Sequence, residues 1–180
     1  LPRKDLTKVP FITIDGADAK DFDDAVYCSI NKKSYCLSVA IADVAEIVKL
    51  KTAINDEAFK RGTSIYFPSK VIPMLPEKIS NNLCSLVPNE IRNVLVCEIN
   101  FDFDGQLMSY NFLEARIKSH QRTTYNEVEK YLKNNSPSMS RNVKESIGNL
   151  RDLTKKLLLL RNKRQALEIN GQEPILKIND

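Results

Sequence analysis

Thr13-Ile14-Asp15-Gly16-Ala17-Asp18-Ala19-Lys20-Asp21-Phe22-Asp23-Asp24-Ala25 sets five aspartates within ten positions, directly behind an apolar, β-branched run. So many like charges on a compact support repel one another at neutral pH, and a divalent cation with oxygen ligands relieves them. Metal-dependent phosphate chemistry is therefore the first functional expectation. Residues 9–14 read as a strand leading into the aspartates and 25–30 as a strand leading out, with a third at 35–42 beyond an Asn-Lys-Lys turn. Residues 15–24 are thus expected to form a loop pinned between strands, where functional side chains face solvent on a rigid support.

Further along, residues 53–61 have helical spacing, with Ala, Ile and Phe on one face and Gly62 as a C-cap. Residues 62–88 carry prolines at 68, 73, 76 and 88 yet remain apolar. A segment both irregular and apolar packs against something, so it is expected to wall the site. Residues 94–103 and 107–117 alternate as paired strands across Asp104-Gly105, the strongest short hairpin signal in the chain. A helix is expected at 124–132 and a polar break at 134–140. Val143, Ile147, Leu150, Leu153, Leu157 and Leu160 then mark one long amphipathic helix. Two short strands are read at 166–168 and 174–178. The fold class expected is α+β: a mixed, largely antiparallel sheet with flanking helices.

The 180 residues, 42% of them hydrophobic, suffice for one core, and 27 basic against 23 acidic residues leave a net charge of +4. Acid crowds between Asp15 and Asp24, while base gathers at Arg116, Lys118, Arg122 and along residues 151–164. A metal pocket beside a basic surface is what a phosphodiester requires, although charge statistics alone fit a solvated surface equally well. Cys28, Cys36, Cys84 and Cys97 form no Cys-x-x-Cys pair and read as reduced core residues, as in a cytoplasmic protein. No run of eighteen apolar residues and no signal peptide is found, so no membrane partner is expected. The opening at Leu1 without methionine suggests an excised fragment.

Within the loop, strand alternation would send Asp23 and Asp24 to opposite sides, so a tight turn is needed to converge Asp21, Asp23 and Asp24. Asp15, beside Gly16, would approach the same centre from the other limb, with Gly16 supplying backbone freedom. Two or three carboxylates around Mg²⁺, completed by water and phosphate oxygens, polarise a phosphoryl centre. A carboxylate left over, assigned to Asp23, would orient the water or take its proton. An EF-hand register fails from either Asp15 or Asp21. An aspartyl-phosphate nucleophile should directly follow a buried strand, whereas residues 17–20 intervene. A solvated acidic turn stays open as the plain alternative. The sole histidine, His120, has no nucleophile signature around it and reads as structural. No Gly-rich phosphate loop of triphosphate or dinucleotide type occurs, so no dinucleotide cofactor is expected.

Thr13-Ile14-Asp15-Gly16 with Asp21-Phe22-Asp23-Asp24-Ala25 resembles the signature of the ribonuclease II and ribonuclease R family of 3′-to-5′ exoribonucleases, the RNB type. Val39-Ala40-Ile41-Ala42-Asp43-Val44, Arg61-Gly62-Thr63-Ser64-Ile65-Tyr66-Phe67-Pro68 and Val71-Ile72-Pro73-Met74-Leu75-Pro76 follow in the family's order. Leu83-Cys84-Ser85-Leu86 and the segment from His120 to Tyr125 come after them. The glycine after the first aspartate and the Tyr-Phe-Pro segment lean toward the ribonuclease R branch. The likeness is close over residues 5–132 and vaguer beyond.

The resemblance implies that residues 1–180 are the N-terminal part of one RNB-like catalytic domain. It implies Asp15, Asp21, Asp23 and Asp24 as catalytic carboxylates, with Asp15, Asp21 and Asp24 on Mg²⁺. The implied reaction hydrolyses single-stranded RNA to nucleoside 5′-monophosphates. Tyr66 and Tyr125 are implied to pack against the RNA end, in keeping with sequence-tolerant stacking of bases on aromatic faces. From composition alone, both tyrosines would be expected in the core. The family's later half, with a Ser-Pro-Ile-Arg-Arg-Tyr segment and a glutamate-bearing helix, does not occur here, nor do cold-shock and S1 domains. An arginine on the scissile phosphate is worth orders of magnitude in rate, so a fragment without it is expected to turn over poorly or only to bind RNA or metal. Apolar surface that the absent half would cover is expected to drive self-association.

Overall fold

The computed structural model describes residues 2–67, 70–134 and 139–167. The strands are β1 (Lys4–Asp5), β2 (Ile12–Asp15), β3 (Asp24–Ile30), β4 (Tyr35–Ala42), β5 (Ile65–Phe67), β6 (Lys70–Ile72), β7 (Ile91–Phe101), β8 (Leu107–Lys118) and β9 (Gln121–Thr124). The helices are α1 (Val44–Ile47), α2 (Ala53–Arg61), α3 (Tyr125–Asn134) and α4 (Arg141–Lys163), with one π-helical turn at Ile79–Leu83. Seven strands form one sheet in the order β1-β8-β7-β4-β3-β2-β9, and β5 pairs with β6 separately. β1 runs parallel to β8 and β2 parallel to β9, while the other neighbours are antiparallel. The expected mixed, largely antiparallel α+β architecture is the one observed.

Alternation sends successive residues of the sheet to two separate cores. Phe11, Ala25, Ala40, Val94, Val96, Ala115 and Ile117 face one side, where Phe22 and Leu86 pack onto them. The alanines leave room for those larger groups to lie close to the sheet. Ile12 faces the other side against Val143 and Ile147 of α4, and Cys28, Tyr35 and Leu153 continue that layer. Leu86, Ile117, Ile147 and Leu153 are each no more than 2% exposed, and each burial contributes about 1.5–3 kcal/mol. Helix α4 starts where the Ser140 side chain accepts the Val143 amide, and Arg161 and Lys163 face the negative end of its dipole.

The β7–β8 turn needs its glycine twice over. Gly105 has φ +86°, and a Cβ there would stand 2.9 Å from Lys156 Cβ of α4. The Asp102 carboxylate accepts the amides of Asp104 and Gln106, closing the turn.

Several expectations need correction. Residues 9–11 are not strand: Pro10 has no N–H to give a ladder, and the Phe11 amide turns back to the Val9 carbonyl at 2.8 Å. The strand instead reaches Asp15, and Asp24 already belongs to β3, so the loop is residues 16–23. Gly16 lies outside the left-handed region, since among the described glycines only Gly62 and Gly105 have positive φ. Thr124 ends β9 rather than opening a helix; its amide and hydroxyl bond the Glu127 carboxylate, and its hydroxyl accepts the Glu127 amide. Helix α2 has the expected bounds and a left-handed Gly62 cap, but buries no residue. Ala166 and Leu167 carry no strand, and the rest of the two strands expected at 166–168 and 174–178 lies outside the described residues.

All four cysteines are free. Burial, then the nearby Cys36, pushes the Cys28 thiol up to about 12, which keeps it protonated and unreactive at neutral pH. Among the described residues, no helix is long and apolar enough to cross a membrane.

Candidate active site

Loop 16–23 hangs between the end of β2 and the start of β3, and Phe22 decides its shape. This ring is only 6% exposed and lies in the core, so its neighbours Asp21 and Asp23 both turn outward. Leu86 N donates to Phe22 O at 2.8 Å, and Ala42 N donates to Asp23 O at 2.9 Å. Ser85 Oγ accepts the Phe22 amide at 2.9 Å and donates to Lys20 O at 3.3 Å. On the other limb, Arg122 Nη2 donates to the carbonyls of Gly16 and Ala17 at 3.1 and 2.7 Å, and its guanidinium carbon lies 5.1 Å from the Phe22 ring centre.

The carboxylates feel one another. Partial burial, reinforced by the charges of Asp24 and Asp21, raises the pKa of Asp15, while Thr13 and Arg122 oppose the rise. The Thr13 hydroxyl lies two residues back on the same strand face, near enough to ease that charge but without hydrogen-bond geometry, since both Thr13 Oγ1 and Asp15 Oδ2 are buried and unpaired. Asp23 is exposed over much of its surface, yet desolvation at its crowded position, then Asp21 and Asp24, raise its pKa as well.

Among the described residues, no three His, Cys, Asp or Glu side chains close around a point that a metal would occupy. The chemistry of the donors nonetheless fits Mg²⁺, which takes one or two carboxylates and completes its octahedron with water and phosphate oxygens. The orphaned Asp15 Oδ2 is a lone pair of the required kind.

A cavity of about 1070 Å³ opens beside the loop. Its lining includes Asp18, Lys20, Asp21 and Asp23 of the loop, Ala42, Val44 and Cys84, and Ser64, Tyr66, Val71, Met74 and Leu75 of the proline-rich segment. The proline-rich segment therefore walls the cavity, as expected, and does so through residues of the paired strands β5 and β6 and of the π-turn. Tyr66 is 71% exposed and Tyr125 65%, so core packing explains neither. Tyr66 shares the cavity with Asp21 and Asp23, whereas Asp15, Asp24 and Tyr125 are not in its lining. Tyr125 follows Thr124, the parallel partner of Asp15 in β9, so it stands at the same end of the sheet as the aspartates. His120 is exposed, with its amide on Phe11 O and Nε2 3.1 Å from Thr7 O, and so holds the entry to β2.

Sequence reasoning missed Ser85 and Arg122 as loop anchors. Both lie inside quoted motifs, but their partners are 63 to 106 positions away.

The RNB domain family model matches residues 3–180. The chain belongs to the RNB domain family. Among curated relatives of this RNB chain, a ribonuclease R from Buchnera aphidicola subsp. Schizaphis graminum is 54% identical over 129 residues, 70% of this chain and 18% of that protein. A ribonuclease R from Vibrio cholerae is 45% identical over 175 residues, 95% of this chain and 21% of that protein. Among solved structures, Mycoplasma genitalium RNase R in complex with ribose methylated single-stranded RNA superposes with a TM-score of 0.91 at 39% identity, covering 95% of this chain and 27% of that one. The RNB chain thus spans about a fifth of the length of the curated relatives it matches.

Proposed function

We propose that this RNB chain carries the catalytic carboxylates of a 3′-to-5′ exoribonuclease that hydrolyses single-stranded RNA to nucleoside 5′-monophosphates. One observation carries the reading: Asp21 and Asp23 share a cavity with the exposed Tyr66 ring, so acidic oxygens and a stacking surface face the same space. The complex of the Mycoplasma RNase R with single-stranded RNA supports the substrate class.

Mg²⁺, when bound, would polarise the scissile phosphodiester and make a coordinated water nucleophilic. Asp15, Asp21 and Asp24 are the residues proposed to hold it. Asp23, with its raised pKa, is suited to orient the attacking water and accept its proton. Tyr66 and Tyr125 would stack on bases near the 3′ end and align the last phosphodiester with the aspartates.

The test incubates the chain with 5′-labelled single-stranded RNA in Mg²⁺ or EDTA, beside an Asp23→Asn variant. Slow stepwise shortening with 5′-monophosphate release, lost in EDTA and in the variant, is the expected result. RNA retained without products would replace this reading with that of a binding module.

A further inference from the structure

The loop that bears Asp18, Asp21 and Asp23 has no secondary structure of its own, and like charges along it favour splaying. Beside the backbone bonds from Leu86 and Ala42, a pair of side chains that reach it from elsewhere in the chain opposes that. Ser85 is fully buried, and its hydroxyl is used in both directions, accepting from Phe22 N and donating to Lys20 O. Arg122 holds the opposite limb through two carbonyls and lies over Phe22, the residue whose amide Ser85 holds. The two therefore converge on one residue, Ser85 at its backbone amide and Arg122 over its ring, with Asp21 and Asp23 on either side of it in sequence.

We propose that Ser85 and Arg122 are positioning residues, which set the separation between Asp15 at the head of the loop and Asp21 and Asp23 at its foot. The inference rests on the exoribonuclease reading for its purpose, but its geometry is independent of that reading. Neither side chain lines the cavity, so neither is assigned a contact with substrate. Both carbonyl bonds leave one terminal nitrogen, Nη2, while the guanidinium carbon lies over the Phe22 ring 5.1 Å from its centre, and the compact ammonium of a lysine does not offer both contacts together. A hydroxyl is needed at 85 because the buried Phe22 amide would otherwise lose its acceptor.

The experiment compares Ser85→Ala, Arg122→Lys and Arg122→Gln with the unaltered chain, using residue-resolved amide exchange and Mn²⁺ affinity by electron paramagnetic resonance. Exchange at Phe22 is expected to rise at least about tenfold in Ser85→Ala while Val96 in β7 keeps its protection. Mn²⁺ affinity is expected to fall about 10- to 100-fold in every variant, as when partners that orient metal ligands are removed. Arg122→Lys should resemble Arg122→Gln, which separates the placement of the guanidinium from charge alone. Unchanged exchange at Phe22, or raised exchange with Mn²⁺ affinity intact, overturns the proposal. If the unaltered chain takes up no Mn²⁺, the metal-dependent reading and the positioning role fall together; Phe22 exchange then still decides whether Ser85 holds the loop.

Discussion

Ser146 Oγ accepts the backbone amide of Cys28 at 2.9 Å, and one helical turn on, Asn149 Nδ2 donates to the Cys28 carbonyl at 3.1 Å. Helix α4 thus takes the place of a neighbouring strand where β2, paired with β3 only at Ile12 and Val26, has run out. Since Ser146 is 1% exposed, Ser146→Ala leaves a buried N–H without an acceptor. It is expected to cost about 1–3 kcal/mol in urea unfolding, against no measurable change for exposed Lys155→Ala.

Tyr66 and Tyr125 can be altered without disturbing the core. Tyr66→Ala and Tyr125→Ala are each expected to weaken single-stranded RNA binding by about 1–3 kcal/mol, measured by fluorescence anisotropy, with the melting midpoint unchanged. A lowered midpoint with affinity intact would show that the rings serve packing instead.

The raised pKa values at Asp15 and Asp23 make these residues a cost to stability at neutral pH. A folded-state pKa above the ordinary value of 3.8 gives stability that is fully present below that value and is lost as pH rises through the raised one. Asp15→Asn and Asp23→Asn should therefore raise the melting temperature by a few degrees at pH 7 in EDTA, and the gain should vanish near pH 4. Equal gains at both pH values would contradict the electrostatic origin.

On the sheet, Ile41, Leu95 and Phe112 occupy successive strands β4, β7 and β8 at 47%, 50% and 71% exposure. Their register places them on one face, since Ile41 pairs with Leu95 and Phe112 with Cys97 two residues along. Sedimentation of the isolated chain is expected to show concentration-dependent association, abolished by Leu95→Lys with Phe112→Lys. A monomer at every concentration would show that this face is not adhesive.

The parts of the fold that were legible in sequence are those governed by local chemistry. β4 and α2 have the expected bounds because alternation, helical spacing and the Gly62 cap are local signals. β9 was illegible: Gln121–Thr124 is polar and short, and it is a strand only because β2 lies parallel beside it. β5 and β6 were hidden by the prolines around them. In the site, the aspartates announced themselves by density of charge, whereas nothing near Arg122 or Ser85 in sequence points to the carbonyls and amide they hold.

Anomalous diffraction from Mn²⁺-soaked crystals tests most directly whether the aspartates share a cation. The predicted result is a peak about 2.1 Å from oxygens of at least two of Asp15, Asp21 and Asp24. Mn²⁺ bound elsewhere, or no peak near the loop at saturating concentration, would contradict it.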